Sequence, residues 1–379
     1  MEPLTRFLAA IVVPRTPALV VRRQALLANL GKMQAACDAA GIRLRPHGKM
    51  AKCSRLALLQ IELGAVGICC QTVGEAEAYA RAGIGNLLVS APVPPWGWPL
   101  LKELAGQGRQ VSAVADSAAQ IAAARAAGAH AVQLLVDVDG GQHRTGTAFA
   151  NAPLLVREIL AAGFSWGGIQ CYLGHLQADP HRAEAHAAAM VRVASLVSAL
   201  RSEGLTPAVV TGGGTGTAPL DLASGVFTEL QAGSYAFMDV QYEMAGAAFD
   251  PALFCAASVV SAQRKGLVTL NAGLKALASD GPAPRAVASD YRFRFMGDEH
   301  GALMEASLVA RIGQEGWAAI DAVDADADHP RPDFPAEGAT VWLQPGHIDP
   351  TINLYDSLWV ADEDGSLEMW AVDARRTTT

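Results

Sequence analysis

One rhythm constrains this chain more than any other feature. Between residues 42 and 235 a short apolar run, a turn and an alanine-rich helical stretch recur eight times. The runs are Ile42 to Pro46, Val66 to Gln71, Asn86 to Ser90, Gln110 to Ala115, Ala131 to Val138, Gly168 to Tyr172, Ala208 to Thr211 and Thr228 to Gln231. Runs this short and this apolar suit strands buried on both faces. Helical stretches such as Ser54 to Leu63, Gly74 to Ala82, Ser117 to Ala127 and Arg182 to Glu203 separate them, most ending near a glycine that can take the left-handed cap conformation. Strands that alternate with helices pair in parallel, and eight units in roughly 200 residues close into a (β/α)8 TIM barrel. An open doubly wound sheet is the rival for the same alternation.

Two parts fall outside the rhythm. Ala18 to Val21 reads as an isolated strand, followed by a helix from Arg22 to Ala40. Beyond about residue 250 the runs FCAASVVSAQ, GLVTLNAG, GALMEASLVARIG, TVWLQPGHID and SLWVADEDGSLEMWAVDAR are β-rich and separated by Gly, Pro and Asp. The expected organisation is a barrel over 22–248 and a C-terminal β domain of 249–379 that residues 1–21 join. The acidic stretch 321–333 has the alternating Asp of a calcium loop but lacks its glycine and terminal glutamate, so it reads as a solvated loop.

Composition excludes several classes. With 51% apolar and 17% charged residues the chain is neither disordered nor fibrous. A formal charge of −8 without any Lys/Arg run argues against nucleic acid as a partner. The early apolar run Phe7 to Val13 is too short to span a bilayer and lacks the flanks of a signal peptide, which points to a cytoplasmic protein with no membrane partner. Six cysteines without a CxxC spacing read as buried thiols.

In a barrel of this kind the functional groups gather where strands end, because the eight βα loops share one face. Those strand ends carry His47 and Lys49, Gln71, Ser90, Asp116, Asp137 with His143 and Arg144, Tyr172 with His175, then TGGGTG from Thr211, and Gly233, Ser234 and Tyr235. Glycine-rich stretches after the seventh and eighth strands let backbone N–H groups approach an anion, a position at which barrels frequently bind phosphate. A tight turn is the plainer reading. A lysine at the end of the first strand, across from such a cradle, is poised for a Schiff base with a phosphorylated aldehyde, pyridoxal phosphate.

PHGK at 46–49, HRTG at 143–146, YLGH at 172–175, TGGGT at 211–215 and PGHIDPTINLYD at 345–356 together resemble the alanine-racemase-like pyridoxal phosphate enzymes, from about residue 16 to the C-terminus. Within them the chain is most similar to the D-threonine aldolases, a branch that also holds D-serine dehydratases and 3-hydroxyaspartate-processing enzymes. The resemblance implies that Lys49 binds the cofactor covalently, that Thr211, Gly213, Gly214, Thr215, Gly233, Ser234 and Tyr235 hold it at the phosphate end, and that Arg144 and Tyr172 line its ring. It implies a metal on His347 and Asp349, which would share one face if they lay on a strand. D-serine dehydratases have cysteine at the position of Asp349. An oxygen donor there favours a harder ion, Mn²⁺ first, with Mg²⁺ or Ca²⁺ as alternatives.

The implied reaction is retro-aldol cleavage of D-threonine and other D-3-hydroxy-amino acids to glycine and an aldehyde, with His175 as the candidate for proton transfer. The implied assembly is a head-to-tail homodimer with the active site at the interface, where the turn MGDEHG at 296–301 would lie near the entrance. A dehydratase acting on D-serine or 3-hydroxyaspartate is the nearest alternative. A racemase, a non-catalytic cofactor carrier and a metal-dependent barrel hydrolase are more distant ones.

Overall fold

A computed structural model of the protein describes residues 3–329 and 332–375. The chain divides into two compact units: one holds Asn29–Tyr235, Met244–Ala247 and the residues from Asp373 onward, the other the residues up to Ala28, Ala236–Glu243 and Ala248–Val372. The first boundary therefore lies later than the expected residue 22, and the second earlier than 248. Residues 236–243 belong to the second unit because their backbone is tied there: Val240 N–H donates to Pro345 O, Gln241 N–H to Gly346 O, and Phe237 O accepts from Ala252.

The first unit holds eight parallel strands, β1 (Arg43–Leu44), β2 (Ile68–Cys70), β3 (Asn86–Val89), β4 (Gln110–Ala115), β5 (Gln133–Asp137), β6 (Trp166–Cys171), β7 (Val209–Gly212) and β8 (Glu229–Leu230). Each pairs with the next from β2 to β8, and β8 pairs with β1. The ring closes between β1 and β2, where Val66 N–H donates to Leu44 O and Cys69 N–H to Pro46 O, both at 2.9 Å. A closed barrel has no edge to leave unpaired, which disposes of the open sheet. Helices form the outer wall, as in Val73–Arg81, whose first turn Thr72 caps by accepting from Glu75 N–H at 3.2 Å. The helix Arg182–Ser202 is long and apolar enough to cross a membrane by length and composition. It instead buries Met190, Val193, Leu196, Val197 and Leu200 in the barrel core.

Among the strands of the barrel sits a buried charge pair. Arg45 Nε donates to Glu229 Oε1 at 2.8 Å and Nη1 to Asn86 Oδ1 at 2.9 Å, while Thr211 Oγ1 donates to the same Glu229 oxygen at 3.1 Å. Glu229 is 1% exposed, and these partners compensate the buried carboxylate.

The second unit is built on a nine-stranded sheet. Ala18–Arg22 does join it, antiparallel to Leu253–Ser261 and parallel to Ser357–Ala361. Two expectations for the tail are corrected. The run 301–313 is a strand only over Gly301–Met304; Ala306–Glu315 is a helix, and a second helix, Ala318–Ala325, takes up the start of the acidic stretch. Leu308, Ile312, Ala319 and Val323 recur at helical spacing and pack on Leu267, Ala302 and Met304, so the apolar period decides the matter. Of the stretch 321–333, Pro330 and Arg331 lie outside the described residues.

Candidate active site

Lys49 stands in the single turn Gly48–Met50 that follows β1. Its N–H donates to His47 Nδ1 at 3.4 Å, so that nitrogen carries no proton and Nε2 does. Nε2 then donates to Ser90 Oγ at 3.1 Å, and Ser90 Oγ donates to Cys70 O at 3.2 Å. One neutral imidazole thus ties the lysine's backbone to the ends of β2 and β3. Tyr79 Oη donates to Gly48 O at 2.7 Å, and a Cβ at residue 48 would stand 2.5 Å from the Tyr79 phenol oxygen. Only glycine fits there. The next lysine is occupied elsewhere: Lys52, with φ +47°, pairs with the buried Glu75 at 3.0 Å.

Lys49 opens on a cavity lined by His47, Gln71, Ser90, Arg144, Gln170, Tyr172 and Gln231, all from strand ends on one face of the barrel. Arg144 lies over the Tyr172 ring, 5.4 Å from its centroid. Arg144 is carried by a loop wound on Asp139, which accepts the N–H groups of Gly141 and His143 and the His143 imidazole at 2.7 Å. Burial pushes the Asp139 carboxyl up, but those donors outweigh it and hold it below the usual range.

The cavity floor is an amide chain that the motifs did not reveal. Gln231 Nε2 donates to Gln170 Oε1 at 3.1 Å and to Thr211 Oγ1 at 2.9 Å; Gln170 Nε2 donates to Ser90 O at 2.8 Å and to Asp137 Oδ1 at 3.0 Å. Burial raises the Asp137 carboxyl to about 6 against the pull of Gln170 and Thr145. A folded state that binds a proton more tightly than the unfolded chain gains stability below about pH 4 and loses it as pH rises through about 6. Asp137→Asn, which cannot ionise, is therefore expected to gain on the native protein by on the order of 2–3 kcal/mol between pH 4 and 7. Melting curves across that window measure it, and parallel profiles for the two proteins would refute it.

After β7 the TGGGTG loop is held from behind. Gly214 N–H donates to Asp221 Oδ2 at 3.2 Å and Gly216 N–H to Gln177 Oε1 at 2.9 Å. The described hydrogen bonds leave the N–H groups of Gly213, Thr215 and Gly233 untaken. Thr215 Oγ1 accepts from Tyr235 N–H at 3.0 Å, which joins this loop to the one after β8. Gly213, Thr215 and Gly233 are all buried, and buried N–H groups without acceptors are costly, so the pocket suits an anion such as a phosphate. Gly214 contributes room rather than a donor. The Tyr235 ring is fully buried, its hydroxyl accepting from Gln60 Nε2 at 3.0 Å. His175 is exposed on the turn after β6, its imidazole 3.4 Å from where a Cβ on Gly141 would lie.

The six cysteines are free and buried, and burial pushes thiols such as Cys69 and Cys171 up to about 12. None is a thiolate nucleophile.

His347 and Asp349 belong to the second unit, and the strand geometry expected for them is corrected. The strand Thr340–Gln344 has ended; His347 is the extended residue before the short helix Ile348–Ile352, and Asp349 is in its first turn. Asp239 holds this start by accepting Ile348 N–H at 3.0 Å. His347 Nδ1 donates to Asp280 Oδ2 at 2.9 Å, because a carboxylate only accepts. In the neutral imidazole that tautomer puts the lone pair on Nε2, as in a metal-bound imidazole that a carboxylate backs. Among the described residues no group of three His, Cys, Asp or Glu that could hold a metal ion comes together.

Two family models match the sequence: the alanine racemase N-terminal domain over residues 21–241 and a serine dehydratase domain over 252–361. The chain belongs to the alanine-racemase-like family. It is 37% identical to a D-threonine aldolase of Arthrobacter sp. over 95% of this chain and 92% of that one. It is 30% identical to the D-threo-3-hydroxyaspartate dehydratase of Delftia sp. (strain HT23), over 94% and 96%. The crystal structure of a D-threonine aldolase from Filomicrobium marinum superposes with a TM-score of 0.84 at 33% identity, covering 95% of this chain and 96% of that one. The protein is accordingly an enzyme of the D-3-hydroxy-amino-acid lyase group, and pyridoxal phosphate is the cofactor expected of its family.

Proposed function

We propose that the enzyme cleaves D-threonine and related D-3-hydroxy-amino acids to glycine and an aldehyde by retro-aldol chemistry, using pyridoxal phosphate on Lys49 and a divalent ion, Mn²⁺ first, on His347 and Asp349. One observation carries the covalent part: Lys49 opens on the strand-end cavity that Arg144 and Tyr172 also line. The oxygen donor of Asp349, in a chain more identical to an aldolase than to a dehydratase, supports carbon–carbon cleavage over loss of water.

When bound, the cofactor supplies an electron sink for the breaking Cα–Cβ bond, and a divalent ion supplies a Lewis acid for the substrate hydroxyl. The residues do the rest. Lys49 would hold the cofactor through its Nζ amine, the group that would make way for the substrate amine. Gly213, Thr215 and Gly233 would offer their N–H groups to the phosphate, and Tyr172 and Arg144, which line the cavity with Lys49, would hold the ring. His47 keeps Lys49 in place through its backbone N–H. His175, on the turn after β6, is the group we assign to proton transfer. We further infer that the working form is a homodimer.

Incubation with D-threonine tests the reading directly: glycine plus acetaldehyde is expected, whereas a 2-oxo acid plus ammonia would make the enzyme a dehydratase. Treatment with EDTA is expected to lower glycine formation roughly a hundredfold, with recovery on adding Mn²⁺. His347→Ala should start at the lower rate and respond to neither reagent. Full activity after chelation would remove the metal from the proposal.

A further inference from the structure

Behind the glycine loop lies a buried polar cluster that the reaction leaves without a task. His186, Asp221, Thr217 and Gln177 are at most 5% exposed. His186 Nε2 donates to Asp221 Oδ1 at 2.7 Å. Asp221 Oδ2 accepts Thr217 Oγ1 at 2.6 Å and Gly214 N–H at 3.2 Å. On the other side Gln177 accepts Gly216 N–H at 2.9 Å and donates to Thr217 Oγ1 at 2.9 Å. A Cβ on Gly213 would run into Asp221, and one on Gly214 into Gln177. The loop is threaded between two side chains, which explains why glycines stand there.

A carboxylate behind a phosphate-binding loop is unfavourable on its own, since like charges repel strongly where water is excluded. Three converging donors spread this charge. In return, Asp221 and Gln177 take the N–H groups of Gly214 and Gly216, so that those of Gly213 and Thr215, which alternate with them, are left for an anion. We propose that Asp221, supported by His186, is a positioning residue for the phosphate of the cofactor, selecting which backbone donors face it. The inference rests on the reading that this loop takes the phosphate of pyridoxal phosphate.

The test compares pyridoxal phosphate with pyridoxal, which lacks the phosphate but forms the same bond with Lys49. Both are titrated into the full-length apoenzyme. The native protein is expected to prefer the phosphorylated form. Asp221→Asn removes the charge and one of the two acceptor oxygens, so affinity for pyridoxal phosphate should fall about tenfold or more while that for pyridoxal stays within about threefold. His186→Gln, which keeps a donor to Asp221, should retain most of the preference, and Thr217→Val should lose part of it. These milder variants carry the test if Asp221→Asn does not fold. An unchanged preference in Asp221→Asn, or in Thr217→Val where it stands in, overturns the proposal. A native protein with no preference overturns instead the assignment of the loop to phosphate, and the proposal with it.

Discussion

Lys49→Ala is expected to lose the visible absorbance of the lysine-bound cofactor and at least about a thousand-fold in turnover of D-threonine, because it removes the covalent anchor of the cofactor. The neighbouring Lys52→Ala is the informative control. Lys52 has the same side chain and lies three residues on, but its ammonium is paired with Glu75 at 3.0 Å and does not line the cavity. It should cost stability and leave the spectrum intact. Borohydride reduction followed by peptide mapping would place the label on residue 49 alone. A label on Lys52, or a Lys49→Ala protein that still holds cofactor covalently, would sink the assignment.

Glu229→Ala is expected to cost about 3–5 kcal/mol, because it strands the Arg45 guanidinium inside the barrel without its counter-charge. That corresponds to a fall in melting temperature of roughly 5–15 °C. Glu229→Gln keeps an oxygen for Arg45 or Thr211 and should recover part of the loss. Double replacement of Arg45 and Glu229 by apolar residues should cost less than Glu229→Ala alone, since breaking a buried pair is worse than removing it. A Glu229→Ala protein that melts with the native one would show that Arg45 finds water or Asn86 sufficient.

Much of the site was legible in the sequence because barrel topology sends strand ends to one face. PHGK, HRTG, YLGH and TGGGT lie far apart along the chain, yet Lys49, Arg144 and Tyr172 line one cavity. The amide floor was not legible, since Gln170 and Gln231 sit in ordinary strand positions, and glutamine at a strand end carries no distinctive signal. Only the neighbours reveal it: Asp137 accepts from Gln170, which fixes the direction of the donors as far as Gln231. The helices of 306–325 were hidden for another reason. Gly301–Met304 is a true strand, and only Glu305 separates its apolar run from a helix whose period shows only over two more turns.

By itself the sequence determined the eight-unit barrel, the β-rich tail and the residues offered at the strand ends, because the spacing of apolar residues dictates which local structures can bury them. Tertiary structure alone decided which donors those ends present. Gly214 turns its N–H to Asp221, Tyr235 buries its phenol on Gln60, and His347 precedes a helix instead of lying on a strand. The reason is that a hydrogen bond needs direction as well as residue type, and direction is set by partners that lie far away along the chain.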